Sequence, residues 1–261
     1  MARLRDVVRP DYYWRQLKSV GGFLFRPRYD WPEETAASAL IALFPLLILK
    51  MFFAILAVLS FYVFEALGVV APLENAIGNL DWPNWQLILV GGLIVPFIEE
   101  SAYRAHFRMK AWTGSLSAAA ITYLVISAFT EGTRGLREGL YDETAPMRFA
   151  AAIGAGVIVY AILNAKPLLN ALALVWRKGF TFIFWISIVY FGYSHLERYT
   201  NFSWEEHGIF VPLIILPQII AAVFYTYTRM RYGFLWAVIL HGMNNALPVV
   251  VFGYLITGNL D

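Results

Sequence analysis

Seven apolar stretches, each close to the length that crosses a bilayer, recur along this chain and leave it few possible folds. They run at about residues 37–64, 85–107, 115–130, 147–165, 179–196, 209–228 and 234–257. About 20 apolar residues span the hydrocarbon core as a helix. Inside that core the backbone must satisfy its own hydrogen bonds, and continuous apolar runs are not the alternating strands of a barrel. The expected fold is therefore all-α, a polytopic transmembrane helical bundle with about seven spans (six to eight) around a central intramembrane polar site. Charged residues make up only 15% of the chain, against about 25% in soluble domains. With no cysteine, a disulfide framework, a thiolate metal site and a cysteine nucleophile are excluded. Leu168 to Trp176, LLNALALVW, is too short to span and reads as re-entrant or interfacial; joined to a neighbour it would raise the count to eight. Ala71 to Asn79 is a second interfacial candidate.

Two regions are expected: a basic, aromatic arm over residues 1–34 and a transmembrane domain over residues 35–261. The arm carries Arg3, Arg5, Arg9, Arg15, Lys18, Arg26 and Arg28 among Tyr12, Tyr13, Trp14, Phe23, Phe25 and Trp31. Such a mixture fits a segment on an anionic membrane surface, or equally a solvated cytosolic tail. It lacks the apolar core of a signal peptide, so no cleavage is expected. With the N-terminus in the cytosol, fifteen Lys and Arg residues lie on the inner side, counting Arg104, Arg108, Lys110, Lys166, Arg177, Lys178, Arg229 and Arg231 with the arm. Only Arg134, Arg137, Arg148 and Arg198 lie outside, which follows the positive-inside rule. Lys50, within the first span, either snorkels or pairs with a carboxylate.

The second span holds the residues hardest to explain by packing. Trp85 to Ile98 is nearly all apolar, yet Glu99 and Glu100 follow, roughly 20 Å along the helix. Ionised carboxylates at that depth cost several kcal/mol unless paired, protonated or in contact with trapped water. Arg104 lies one turn after Glu100 on the same face, in the favoured order of acid before base. Glu99 is rotated about 100° away and points elsewhere. Upstream, Pro96 frees the carbonyl of Gly92 and loosens the helix beside the acids. A structural ion pair between helices is the plainer reading of Glu100 and Arg104.

Two of the four histidines also fall within spans. His195 ends FIFWISIVYFGYSHL, four residues after Phe191, and His241 lies in FLWAVILHGMNNALP, four residues before Asn245. Each i,i+4 pair shares a helical face, so three spans can present polar stripes to a common interior. Counted from the basic cytosolic ends, Glu99 and His241 lie roughly 15–16 Å deep, but His195 roughly 26 Å. Tilt, or a fifth helix starting later than Gly179, would reconcile them. Tyr103 and His106 flank the acids and are candidates to line the site, Tyr103 being equally an interfacial anchor. Ser194 has no GxSxG-like context. Asn244, His207, Glu205 and Glu206 read as surface or loop residues.

In order along the chain, the motifs are Glu99-Glu100-x-x-x-Arg104, Phe191-x-x-x-His195 and His241-x-x-x-Asn245. This set resembles the CPBP family, also called Abi, of intramembrane proteases, which includes CAAX prenyl endopeptidases and bacteriocin-processing or immunity proteins. The resemblance covers Trp85 to Pro248. It implies that Glu99 and His195 activate a water as general base, that His241 and Asn245 hydrogen-bond the oxyanion, and that Glu100 and Arg104 hold the arrangement. The family usually places its second motif in the next span. Here two additional spans at about residues 115–165 are inserted, an even number that preserves orientation. The implied activity is hydrolysis of a peptide bond in or near the membrane, on a peptide or membrane-protein substrate surrounded by lipid and with no nucleic acid. A bacterial inner membrane would suit the basic arm.

Three alternatives stay open at the level of sequence. Glu99, Glu100, His195 and His241 could instead bind zinc, although no HExxH-like spacing fixes two ligands on one helix; the favoured reading has no cofactor. A proton-coupled transporter would also use buried Glu and His, but no inverted repeat or paired broken helices are present. A non-catalytic binding, assembly or immunity protein could retain the same pocket.

Overall fold

The structure, a computed structural model, describes residues 8–75, 83–130 and 143–257, the last six of these as backbone only. Every regular element among them is helical, and the one β contact is an isolated antiparallel bridge between Asn75 and Tyr199. Helix α1 (Pro10–Phe25) precedes seven helices long and apolar enough to cross a membrane. These are α2 (Ala36–Ala66), α3 (Asn84–Phe107), α4 (Ala111–Thr130), α5 (Ala145–Leu163), α6 (Lys166–Arg198), α7 (Trp204–Tyr232) and α8 (Phe234–Thr257). Arg3, Arg5, Arg134 and Arg137 lie outside the described residues, as does the end of the Ala71 to Asn79 candidate. The described part of that candidate is non-helical and bonded to the loop before α7, Asn201 accepting from Glu74 N and donating to the Pro72 carbonyl.

α3 is the least regular span. It begins as α-helix, passes through a π-turn over Val90–Ile94, resumes at Val95 and closes in a 3-10 turn over Ala105–Phe107. Pro96 sits in the first turn after the π-segment. It has no N–H for the carbonyl of Gly92, and the wider turn absorbs the break. At the other end, carbonyls left without helical donors are met by Arg229, whose Nε and guanidinium N–H reach Arg104 O at 3.2 Å and Ala105 O at 2.9 Å.

The main core lies between α1, α2, α6 and α7, with Phe23, Leu46, Phe184, Ile188, Ala222 and Met230 all fully buried. α1 is thus docked and is no solvated tail: Phe23 meets Phe184 and Trp31 edge-on, each at 5.3 Å. Trp14 and Phe25 remain exposed. Two cations staple this region to the bundle. Arg108 donates to Trp31 O (2.7 Å) and Met230 O (2.8 Å), and Arg231 pairs with Glu34.

Leu168 to Trp176 is neither re-entrant nor a separate span, and the described residues hold seven candidate spans. It opens α6, whose regular α-helix runs unbroken over Lys166–Ser194, because Arg177 and Lys178 are good helix formers and nothing there stops propagation. Spans α4 and α5 form a hairpin. Ser115 Oγ donates to Gly156 O at 2.7 Å across it. On the α3 side, Ser117 Oγ donates to Ser101 O at 2.7 Å and accepts from His106 N at 3.2 Å.

Candidate active site

The three motifs converge in the interior, joined by α7. Glu100 is fully buried; its Oε1 accepts from Arg104 Nη1 at 2.6 Å and from His241 Nδ1 at 2.9 Å. Arg104, equally buried, also donates Nε–H to Thr226 Oγ1 at 3.1 Å and lays its guanidinium over Phe191, 4.4 Å from the ring centre. One carboxylate therefore ties together α3 and α8, while its arginine ties in α6 and α7. Charge-assisted bonds of this kind are short and directional, which fixes the rotamers around them.

Glu99 stands at the neighbouring position with a different task. His241 Nε2 lies 3.5 Å from its Oε2, and Arg198 of α6 lies 3.7 Å from its Oε1. Its Oε2, like Oε2 of Glu100, accepts no hydrogen bond among the described residues, so lone pairs remain at both acids for a small polar group. His241 is thus clamped between the two acids and stacked on Tyr225, ring centres 4.3 Å apart with planes 17° from parallel. Since Glu100 also receives Arg104, it acts as an acceptor, and His241 Nδ1 carries the proton between them. Nε2 faces Glu99.

His195 ends the regular part of α6 and starts its 3-10 turn. Its Nδ1–H donates to Phe191 O at 2.7 Å, which leaves Nε2 with the basic lone pair when the ring is neutral. The depth mismatch of the simple helical count does not keep His195 from the site. Phe191 lies 4.5 Å from His195 and 6.1 Å from His241, centre to centre, and also carries Arg104. The Arg198 to Glu99 contact fastens the same turn to α3.

Asn245 donates Nδ2–H to Gly91 O in the π-turn at 3.0 Å, and its Oδ1 accepts from Asn244 Nδ2 at 2.9 Å. α8 approaches α3 so closely here that a Cβ on Gly242 would fall 2.2 Å from Gly92 O, the carbonyl released by Pro96. Only glycine fits that approach.

Tyr103 faces the site: its hydroxyl donates to Ser194 Oγ at 3.1 Å and its ring meets Phe191 edge-on at 5.2 Å. Ser194 is itself committed, donating to Phe191 O at 3.0 Å. His106 is turned toward Ser117 and Trp176 instead. Two residues read as surface or loop are internal. His207 is fully buried, with Nε2 3.3 Å from Ala71 O, and Asn244 is partly buried and accepts from Lys50. Lys50 thus neither snorkels nor pairs with a carboxylate among the described residues. Glu205 and Glu206 are exposed.

Arg198, Tyr225 and Thr226 escape the motif reading. Arg198 carries a signal, a cation three residues after His195 on the same helical side. Tyr225 and Thr226 sit in an ordinary apolar span and offer none. As for metal, no group of three or more His, Asp or Glu side chains among the described residues is placed to hold an ion.

A family model for type II CAAX prenyl endopeptidase Rce1-like proteins matches residues 81–247. No curated protein and no solved structure matches the chain. The match spans well over half of the chain and includes all three motifs, so the chain belongs to this Rce1-like family of proteases. Its seven apolar helices make it an integral multi-pass membrane protein.

Proposed function

We propose that this member of the Rce1-like family is an intramembrane endopeptidase that hydrolyses a peptide bond by a water activated at Glu99 and His195. The observation that carries the reading is the clamp of His241 between two adjacent buried carboxylates, at 2.9 Å and 3.5 Å. That arrangement makes the two acids unequal. Each acid keeps an Oε2 without a donor among the described residues. Glu100 Oε1, however, holds both Arg104 and His241 at 2.6 and 2.9 Å, whereas Glu99 has only the longer contacts to His241 and Arg198 at 3.5 and 3.7 Å and is the less committed acid.

In the proposed reaction Glu99 takes a proton from water, with His195 Nε2 as the second acceptor, and the resulting hydroxide adds to the scissile carbonyl carbon. The carbonyl oxygen becomes an oxyanion. Asn245 Nδ2 has a second N–H beyond the one on Gly91 O and can donate to the oxyanion, and His241 Nε2, beside Glu99, is the second donor whenever that nitrogen carries a proton. When the tetrahedral intermediate collapses, the C–N bond breaks and the proton held by Glu99 or His195 passes to the leaving amine. The products are one carboxylate and one amine. Glu100, Arg104 and Thr226 hold His241 in place. The substrate is a peptide or membrane protein whose scissile bond lies in or beside the bilayer. The excess of basic residues on one side supports a cytosolic N-terminus, and we place the protein in a bacterial inner membrane.

Purified wild type, Glu99→Gln and His195→Ala would be compared in liposomes against a pool of quenched membrane-proximal peptides, with elemental analysis of the wild type. Each substitution is expected to lower turnover by about 10²–10⁴-fold, the usual worth of a positioned acid or base, with unchanged thermal unfolding. A folded wild type no faster than its variants would defeat the proposal and leave a binding role. Stoichiometric zinc that turnover requires would redirect the mechanism to a metal.

A further inference from the structure

Lys50 lies in the middle of α2, 5% exposed, fourteen residues after its start at Ala36, or roughly 21 Å along the axis. A cation at that depth is costly, and among the described residues no carboxylate pairs with it. Its Nζ donates to Asn244 Oδ1 on α8, with Met51 Sδ at 3.9 Å as its other contact. From there the donors all run in one direction. Asn244 Nδ2 donates to Asn245 Oδ1 at 2.9 Å, and Asn245 Nδ2 donates to Gly91 O at 3.0 Å. Adjacent positions on a helix are about 100° apart, so the chain of bonds carries a charge on α2 around α8 to α3.

We propose that Lys50 is a positioning residue for the peptidase site: through Asn244, its ammonium fixes and polarises the Asn245 amide that donates to the oxyanion. The inference rests on the reading of Asn245 as that donor. Three hydrogen bonds aligned head to tail strengthen one another, and the head is a full positive charge. With its Oδ1 held by Asn244, the Asn245 amide cannot flip to present oxygen where N–H is needed. Its first N–H is fixed on the π-turn, which orients the second. A plain helix pin between α2 and α8 would need only the first of these bonds.

The test uses the full-length protein in lipid nanodiscs: wild type, Lys50→Met, Asn245→Ala and the double variant. Met matches the length of Lys without its charge and suits an apolar span, so folding should survive. Lys50→Met is expected to lower kcat about tenfold, the scale of one charge-assisted hydrogen bond, with KM within about twofold. Asn245→Ala is expected to lose about 10²-fold or more. The double variant should be no slower than Asn245→Ala, because the two residues act as one unit. The side-chain amide protons of Asn245, assigned by their loss in Asn245→Ala, should move upfield in Lys50→Met. An unmoved resonance overturns the proposal whether or not turnover is found, and so does a double variant whose losses multiply. A wild type without turnover but with the shifted resonance instead removes the peptidase reading and with it the catalytic part of this one.

Discussion

Two helix pairs in this bundle are held together in opposite ways. α3 and α8 meet across carboxylates, an imidazole and an asparagine, with the backbone of α3 widened into a π-turn at the contact. α4 and α5 meet along most of their length through small residues, Ser115, Ala119 and Gly156, with the Ser115 hydroxyl-to-carbonyl bond, and only at their far ends through buried Arg148, which donates to Thr130 Oγ1 at 3.2 Å. Both interfaces are close, but for different reasons. Along the small-residue stretch of this hairpin closeness lets van der Waals contacts and the Ser115 bond hold two apolar helices, the ordinary means of association in lipid. At α3 and α8 it brings buried charge within bonding distance, and the interface depends on every partner being present. An interface of small residues should yield gradually; one built on buried charge should fail at single positions.

The strongest way to break the contrast is Arg104→Met. It leaves Glu100 buried beside His241 without its cation, and loss of one partner of a buried pair costs about 3–5 kcal/mol. Denaturant unfolding in mixed micelles should show that loss together with vanished turnover; near-native stability would mean that the ion pair is not what holds the core. Gly242→Ala comes next. Its Cβ would meet Gly92 O at 2.2 Å, and backbone cannot step aside as a side chain can, so about 1–3 kcal/mol should be lost to overpacking. Turnover should fall as well, because α8 carries both His241 and Asn245. The same methyl at Gly156 sharpens the comparison. It would contact Ala119 Cβ at 3.2 Å and Ser115 O at 3.4 Å, tight but relievable, and should cost less than about 1 kcal/mol with turnover unchanged. Equal losses in Gly242→Ala and Gly156→Ala would erase the distinction between the two interfaces.

The spans and their order were legible because a bilayer allows so few solutions to a long apolar run. The pairing of Glu100 with Arg104 was legible too, since one helical turn fixes which side chains can meet. The loosening beside Pro96 followed from a missing N–H and appears as the π-turn over Val90–Ile94. Leu168 to Trp176 misled because apolar length alone cannot tell a short segment from the opening of a longer helix. His195 seemed too deep because helical counting assumes parallel axes and a known starting level. Lys50 was readable as an odd residue, but Asn244 read as surface or loop, and nearly two hundred positions between them hid their pairing.

The sequence by itself determined that this chain crosses a membrane as helices and carries paired acids, two histidines and an asparagine within its spans. Hydrophobic length and the i,i+4 period are local properties, and they need no knowledge of neighbours. Only the tertiary structure decided how the two acids differ, by setting Arg104 and His241 Nδ1 within hydrogen-bond distance of Glu100 and leaving Glu99 with longer contacts to His241 Nε2 and Arg198. That division depends on how three helices approach a fourth. It is fixed by the glycine contact of α8 with α3 and by the side chains of α7, neither of which has a period to announce it.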